Sequence, residues 1–158
     1  MSLFFRIATL GDLNDIQDYE RKKLQEAVQD EMEREMLSWQ AKWRKESLEH
    51  YLPNGWCFVV KNTALKEKDQ AEGPLVAYFL AQPLVFFEGQ TQSLWVEHLS
   101  YSSLQARDEL CDLAYRLSKE KHFQRVYFPN TPSLQNAISN MKPQPWSHTA
   151  VFVKTTKA

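Results

Sequence analysis

The sequence predicts a mixed α/β (α+β) fold, in which helices cover one sheet that has both antiparallel and parallel strands. Two aromatic-rich apolar runs, residues 75–87 and 93–101, flank a short loop with Gly89 at its centre, which predicts an antiparallel hairpin. An amphipathic helix over residues 106–117 then separates the hairpin from another strand at residues 125–128. A strand–helix–strand crossover of this kind requires a parallel pair of strands.

The N-terminal third is predicted to form one strand and two helices. Residues 4–8 read as a strand, and Thr9 followed by Asp12 is a variant of the capping box that starts a helix. Apolar residues then recur three or four apart as far as residue 52, without proline and without glycine after Gly11. Since one helix of roughly forty residues is long for a globular protein, we expect two helices with a break near residues 29–34 or just after. The predicted stripe comprises Leu13, Ile16, Tyr19, Leu24, Val28, Met32, Met36, Trp39 and Trp43.

The remaining elements follow from turn residues and periodicity. A strand at residues 56–62 is followed by a polar loop, and the first hairpin strand is expected to bend or bulge at Pro83. Thr131-Pro132 begins a second helix in the C-terminal half, and residues 149–155 close the chain as a strand. The predicted order is β-α-α-β-β-β-α-β-α-β, within a single domain of residues 1–158.

Composition excludes several classes of protein. The chain has 19 Lys and Arg against 20 Asp and Glu, so it lacks the basic surplus typical of nucleic-acid binders. Neither a signal peptide nor an apolar run long enough to span a bilayer is evident, which predicts a cytoplasmic protein without a membrane partner. Cys57 and Cys111 are predicted to be buried and unpaired, and the four histidines lack metal-ligand spacing, so no metal site is expected. The sequence contains no G-x-S-x-G elbow, no P-loop and no G-x-G-x-x-G motif.

The element order, the hairpin arm that runs directly into the central helix, and Asn130 at the end of the next strand resemble the GCN5-related N-acetyltransferase (GNAT) superfamily. The resemblance covers essentially the whole chain. It implies an N-acetyltransferase that uses acetyl-CoA and a small-molecule or peptide amine. It also implies that the fourth and fifth strands splay apart to admit the pantetheine arm of the cofactor. The residues expected to contact the cofactor are Leu99, Tyr101, Ser102, Ser103, Gln105, Arg107 and Asn130.

The cofactor loop departs from the most diagnostic motif of that family, Q/R-x-x-G-x-G/A. In the nearest stretch, residues 105–110, Asp108 and Leu110 stand where the glycines would be. Glycines there let the backbone approach a pyrophosphate at a helix N-terminus. Ser102 and Ser103 can bind phosphate or cap the helix, and Arg107 can supply positive charge.

The family's proton donor is often a tyrosine on the last short helix, and residues 134–141 contain none. The hydroxyls of Ser133 and Ser139 are the substitutes that the segment offers. These departures leave a second interpretation open, namely a degenerate GNAT-fold module that binds or regulates without catalysis.

Glu97 is our first candidate for the catalytic base and His98 the second, because a substrate amine must lose a proton before it attacks. Strand alternation puts the two residues on opposite faces, Glu97 with Trp95, Leu99 and Tyr101. The simpler interpretations are a glutamate paired with Lys or Arg and a hydrogen-bonded core histidine. The aromatic C-terminal half leaves room for a homodimer contact through Trp146 and Phe152.

Overall fold

The computed structural model describes residues 2–68, 72–147 and 149–156. Part of the predicted loop after residue 62 and one histidine, His148, lie outside the described residues. The strands are β1 Leu3–Ile7, β2 Phe58–Asn62, β3 Leu75–Phe87, β4 Gln90–Tyr101, β5 Arg125–Pro129, β6 Gln144–Pro145 and β7 Ala150–Lys154. The helices are α1 Leu13–Ala27, α2 Glu31–Trp39, α3 Lys45–Tyr51, α4 Leu104–Glu120 and α5 Pro132–Ala137.

The strands form one mixed sheet in the order β1-β2-β3-β4-β5-β7-β6. Within it β4 and β5 pair in parallel through the α4 crossover, and the other paired strands are antiparallel. The predicted hairpin is present, because β3 and β4 pair along most of their length around the turn Glu88–Gly89, where both residues have positive φ. The mixed α/β fold is therefore confirmed.

Each face of the sheet carries its own hydrophobic cluster. On one face, α4 and α5 cover β4 and β5, with Leu110 of α4 and Phe128 of β5 fully buried. On the other face, α1 and α3 cover β2 and β3, with Ile16 and Leu48 fully buried. The central strands therefore lie between two layers of helix, and their residues are accessible only where a layer is incomplete.

The N-terminal helical region contains three helices rather than the predicted two. The first break falls at residues 28–30, within the expected region, and Asp30 caps α2 by accepting a hydrogen bond from Met32 N at 3.2 Å. The second break, at residues 40–44, was not predicted. This break places the Trp43 side chain in the core, whereas Trp39 remains 67% exposed. The prediction of a single buried apolar stripe that continues through α2 was therefore wrong, since Met32 and Met36 are exposed as well.

Two strand predictions also need correction. The register irregularity of the hairpin does not lie at Pro83 but opposite Leu80 and Ala81. Pro83 is tolerated because β2 pairs only with residues 75–79, so β3 has a single neighbour at the proline. The short edge strand β6 was missed because Pro143 precedes it and Pro145 lies within it, and an edge is where a sheet accepts proline.

Cys57 and Cys111 are free and fully buried, as predicted. Burial raises the pKa of the Cys57 thiol to about 11 and that of Cys111 to about 12, so both remain protonated at neutral pH. Within the described residues, none of the helices combines the length and apolarity that crossing a membrane requires.

Candidate functional site

The candidate site is the gap that opens between β4 and β5. The two strands pair only through Ser93–Trp95 of β4 and Arg125–Tyr127 of β5. Beyond these residues the strands separate, and β5 continues paired with β7 alone. This is the splay that the sequence resemblance implies, and it leaves the C-terminal half of β4 without a strand on that side.

A β-bulge in β4 lies where the splay begins. Leu80 pairs with His98 and Ala81 pairs with Val96, so Glu97 is the extra residue. The bulge reverses the alternation, and our assignment of faces was therefore wrong. Beyond the bulge Leu99 packs into the α4–α5 cluster, whereas Glu97 and His98 both lie on the α1–α3 face.

The bulge and the strand register aim main-chain groups into the splay. Ser102 N donates to Val76 O at 2.9 Å, which makes this a hydrogen-bonded pair. Such pairs alternate along an antiparallel ladder. The N–H and C=O groups of Leu99 and Tyr101 therefore point away from β3, into the gap that β5 has left.

A pocket of about 230 Å³, which we call the bulge pocket, lies beside the bulge. It contains one carboxylate, one ammonium group and two aromatic side chains within a partly enclosed volume. Residues from β4, β5, the segment between α2 and α3, and the start of β7 contribute to it. The lining residues are Lys42, Trp95, Val96, Glu97, Tyr127, Pro129, Thr149 and Ala150.

Glu97 is held as a carboxylate within this pocket. It accepts hydrogen bonds from Lys42 Nζ and, at 2.6 Å, from Trp95 Nε1. Burial disfavours its ionisation, but the hydrogen bonds and the charge of Lys42 outweigh burial and lower the pKa of Glu97. The buried Tyr51 adjoins the same carboxylate, and burial together with that charge raises its pKa. The simpler interpretation, a glutamate paired with a lysine, thus describes the resting state.

Aromatic rings form one side of the bulge pocket. Trp95 and Tyr127 contact each other, and Trp146 packs on both, with ring centroids 5.6 Å apart in each pair. Phe87 and Phe152 extend the cluster to either side. Trp146 and Phe152, which were predicted to leave room for a dimer contact, therefore pack within the chain, and the homodimer stays a prediction.

His98 lies apart from the pocket, in a buried polar group beneath α1. Its Nε2 lies 3.9 Å from Glu20 Oε1, and its ring packs edge-on against Tyr78 at 5.6 Å. Burial opposes the ionisation of Glu20, but the neighbouring polar groups of His98 and Ser100 outweigh burial and lower its pKa. The geometry matches the core histidine interpretation better than the role of second base.

The start of α4, which we call the α4 entrance, is organised by Ser103. Its side chain accepts from Ala106 N at 3.3 Å, so the N-cap interpretation is correct. The helix begins at Leu104, with only two residues between it and the end of β4, and this leaves no room for a glycine loop. Asp108 and Leu110 consequently lie beyond the first turn of the helix, and Leu110 is fully buried in the core.

The Arg107 side chain is already paired with other residues of the chain. It pairs with Asp108 at 2.8 Å and donates through Nη1 to Ser133 O and Oγ at 3.2 Å. Its guanidinium also lies 5.7 Å from the ring centroid of Tyr101, whose hydroxyl hydrogen-bonds Ser133 Oγ. Together Tyr101, Arg107 and Ser133 form a clamp that joins β4, α4 and α5.

The other expected cofactor residues surround this clamp. The Ser102 hydroxyl donates to Val76 O at 3.1 Å, and the Gln105 side chain is exposed. Asn130 N bonds to Thr149 O at 2.9 Å, which fixes the end of β5, and Asn130 Oδ1 accepts from Gln135. The seven residues belong to the end of β4, the start of α4 and the segment after β5, and their contact with a cofactor stays a prediction.

Known structures were compared with the whole chain. A probable acetyltransferase from Staphylococcus epidermidis aligns at a TM-score of 0.64 and 12% identity, covering 98% of this chain and 100% of its own. PaiA N-acetyltransferase from Thermoplasma acidophilum, in complex with coenzyme A, aligns at 0.63 and 14%, covering 98% and 99%. Polyamine N-acetyltransferase from Drosophila melanogaster aligns at 0.62 and 12%, covering 97% and 98%. No family model and no curated protein sequence matches the chain.

The chain has the GNAT fold. At this low identity the similarity establishes the fold alone, and the absence of sequence matches fits a divergent version of it. Within that fold the bulge and the splay are present, whereas the glycines of the cofactor loop are replaced by a direct strand-to-helix transition.

Sequence reasoning missed Lys42, Tyr127 and Trp146 as parts of the site. Lys42 belongs to the unpredicted break between α2 and α3, so nothing indicated that it reaches β4. The bulge did leave a signal, because Glu97 and His98 are adjacent polar residues between apolar neighbours. Two adjacent polar residues in a half-buried strand indicate either a bulge or one buried polar side chain.

Proposed function

We propose that this chain is an N-acyltransferase that transfers an acetyl group from acetyl-CoA to a primary amine. The observation that carries the proposal is the bulge at the start of the splay. It places the Glu97 carboxylate in an accessible pocket beside the part of β4 whose main-chain groups β5 leaves unpaired, where Tyr101 O accepts from Lys23 Nζ at 2.9 Å. Proton acceptance and polar main-chain contacts are the two functions that acyl transfer to an amine requires.

The splay offers more binding partners to the pantetheine arm of acetyl-CoA than the α4 entrance offers to its phosphates. The main-chain groups of Leu99 and the N–H of Tyr101 face the gap and can bond the amides of an extended arm, whereas Tyr101 O already accepts from Lys23 Nζ. The α4 entrance has the N-cap Ser103 and the exposed Gln105 but no glycine cradle, and Arg107 is already paired. The phosphates would therefore rest on the helix N-terminus and the side chains of Ser102, Gln105 and Asn130.

The acceptor would enter through the bulge pocket, on the face opposite the clamp. A carboxylate and the aromatic side chains of Trp95 and Tyr127 favour a cationic amine through charge and cation–π attraction. The Lys42 ammonium already occupies this position at Glu97. A small amine is thus the acceptor class that the pocket supports, and the Drosophila neighbour is described as forming N-acetylagmatine.

In this proposal Glu97 receives the proton of the attacking ammonium. The hydroxyl pair of Tyr101 and Ser133, across the splay, supplies the proton to the departing thiolate. This pair would replace the tyrosine that α5 lacks, since Tyr101 reaches α5 from β4. Proton donation would then come from a different element of the same fold.

A second function is favoured by the clamp. Tyr101, Arg107 and Ser133 tie β4, α4 and α5 together on the cofactor face. If the clamp stays closed, the splay cannot admit the arm, and the chain would be a non-catalytic GNAT-fold binding module. Clamp opening therefore distinguishes the enzyme from the module.

Calorimetric titration with acetyl-CoA, with CoA in parallel, tests the proposal. We expect a Kd of tens of micromolar or tighter, about −6 kcal/mol or better. A following screen of diamines and agmatine should then show amine-dependent release of CoA. No heat and no thermal shift at millimolar acetyl-CoA would eliminate the enzyme and leave the module.

A further inference from the structure

The main chain around Lys42 is anchored by the fold beside the bulge pocket, and the side chain, which is 55% exposed, extends to Glu97. It lies at the centre of the segment between α2 and α3. On one side Ala41 packs against the α1–α3 cluster, and on the other side Trp43 is 8% exposed within that cluster. Ala41 O also accepts from Arg44 N at 3.2 Å, which closes the segment into a turn. The turn therefore presents Lys42 toward β4.

The ammonium group of Lys42 lies at the reactive end of the splay. Its Nζ donates to Glu97 Oε1, on the bulge residue itself, and its side chain lines the same pocket as Val96 and Pro129. Val96 immediately precedes the bulge, and Pro129 is the last residue of β5, where the strands have already separated. A primary amine and a carboxylate thus adjoin the place where the proposed function puts the thioester.

We propose that Lys42 is itself an acyl acceptor, so that the chain acylates its own side chain from an acyl-CoA thioester. This inference rests on the proposed function, because it uses the same donor and the same carboxylate. Lys42 Nζ forms the new C–N bond, the C–S bond breaks, and CoA leaves as a thiolate. Glu97 takes one proton of the ammonium before the attack. The thiolate takes a proton from the Tyr101–Ser133 pair or from water, and the second proton that the nitrogen loses as the C–S bond breaks replaces it.

The product changes the electrostatics of the pocket. An amide carries no charge, so acylation removes the cation that pairs with Glu97. The carboxylate is then available to a second, cationic amine from solution. Self-acylation would therefore convert a pocket closed by its own lysine into one that binds an external amine.

The wild-type protein supplies its own control for the test. Lys45 lies three residues from Lys42, is 69% exposed against 55% for Lys42, and pairs with Glu49 on the surface at 3.8 Å. The protein is incubated with acetyl-CoA, and peptide mass spectrometry follows acetylation of both lysines with time. We expect Lys42 to be acetylated at least about tenfold faster than Lys45, because only Lys42 adjoins a base within the splay.

Two variants separate the outcomes. Glu97→Gln should slow acetylation of Lys42 about tenfold or more while leaving Lys45 unchanged, and Lys42→Arg should abolish labelling in that peptide. Equal rates at Lys42 and Lys45 in the wild-type protein would indicate uncatalysed acetylation and overturn the inference. Calorimetric binding of acetyl-CoA without labelling of Lys42 would overturn it while leaving the proposed function intact. Absence of binding would overturn both.

Discussion

The bulge pocket and the α4 entrance lie on two sides of the same gap between β4 and β5, and their chemistry differs. The bulge pocket combines a charged pair, an aromatic side and an accessible volume of about 230 Å³. The α4 entrance has the N-cap Ser103, a buried Leu110 and an arginine bound within the clamp. The bulge pocket has open volume beside a carboxylate that the half-exposed Lys42 occupies, whereas the α4 entrance is filled by the contacts of the clamp.

The difference follows from how each feature is encoded. The bulge and the splay come from strand register, which many sequences can specify through their pattern of buried residues. A phosphate cradle depends on particular glycines, because a Cβ atom prevents close approach of the backbone. Divergence can therefore remove the cradle while preserving the splay, which is the combination present here.

The largest expected effect concerns the glycine positions of the α4 entrance. Leu110→Gly should lower the free energy of unfolding by about 3–6 kcal/mol, because it removes a fully buried side chain and puts glycine inside a helix. Asp108→Gly, at an exposed position, should cost about 1 kcal/mol. Urea denaturation followed by circular dichroism measures both. A loss below about 1 kcal/mol for Leu110→Gly would show that the helix start can accept the family's motif.

The next effect concerns the bulge pocket. Glu97→Gln should lower kcat for amine acetylation about a hundredfold or more, because the amide cannot accept the ammonium proton. The Kd for acetyl-CoA should not change, since the side chain faces the acceptor side of the splay. Glu49→Gln on α3 is the matched control and should leave kcat unaltered. Unchanged turnover in Glu97→Gln would remove Glu97 from the chemistry.

Much of the fold was predictable because local patterns determine it. The hairpin turn, the N-caps Ser103 and Thr131 and the α4 stripe each depend on a few neighbouring residues. The third N-terminal helix was not predictable, because the break at residues 40–44 exists to place Trp43 in a core that only the tertiary structure creates. Lys42 reaches the site through that same break.

The candidate site was predictable in part. Glu97 was chosen as the candidate base on chemical grounds, but its face was assigned incorrectly because one extra residue reverses the alternation beyond it. Arg107 was expected to meet phosphate, and its partners Asp108 and Ser133 depend on how α4 and α5 pack together. Pairings between distant elements are what a single sequence does not display.

A smaller effect on kcat is expected when the clamp is altered. Tyr101→Phe should lower kcat about tenfold, less than is usual for a general acid, because the Ser133 hydroxyl remains beside the splay. The acetyl-CoA Kd should stay within about twofold or tighten, since the clamp loses one hydrogen bond. Ser139→Ala, in the turn after α5, serves as a control and should leave kcat unaltered. Weaker acetyl-CoA binding without a fall in kcat would assign Tyr101 to cofactor contact instead.

The smallest effect is a pH dependence of stability to which Glu97 in the bulge pocket and Glu20 beneath α1 both contribute. Burial opposes the ionisation of both carboxyl groups, yet their polar and charged neighbours lower both pKa values below the ordinary one, about 4.3 in an unfolded chain. A carboxyl group with a lowered folded-state pKa stabilises the protein above that ordinary value. Its contribution is lost as pH falls through the folded pKa. The free energy of unfolding should therefore decline as the pH falls below that ordinary value, by about 1 kcal/mol or less for the partly exposed Glu97 pair.

Urea denaturation at several pH values measures this decline, and Glu97→Gln and Glu20→Gln should each make it shallower. Glu97 pairs with a half-exposed lysine, whereas Glu20 is 8% exposed, so solvent screens the first interaction more strongly. The Glu20 variant should therefore flatten the curve more. The opposite ranking would mean that the Lys42–Glu97 pair is better shielded than its exposure indicates, and a shielded pair would require an incoming amine to displace Lys42 before binding.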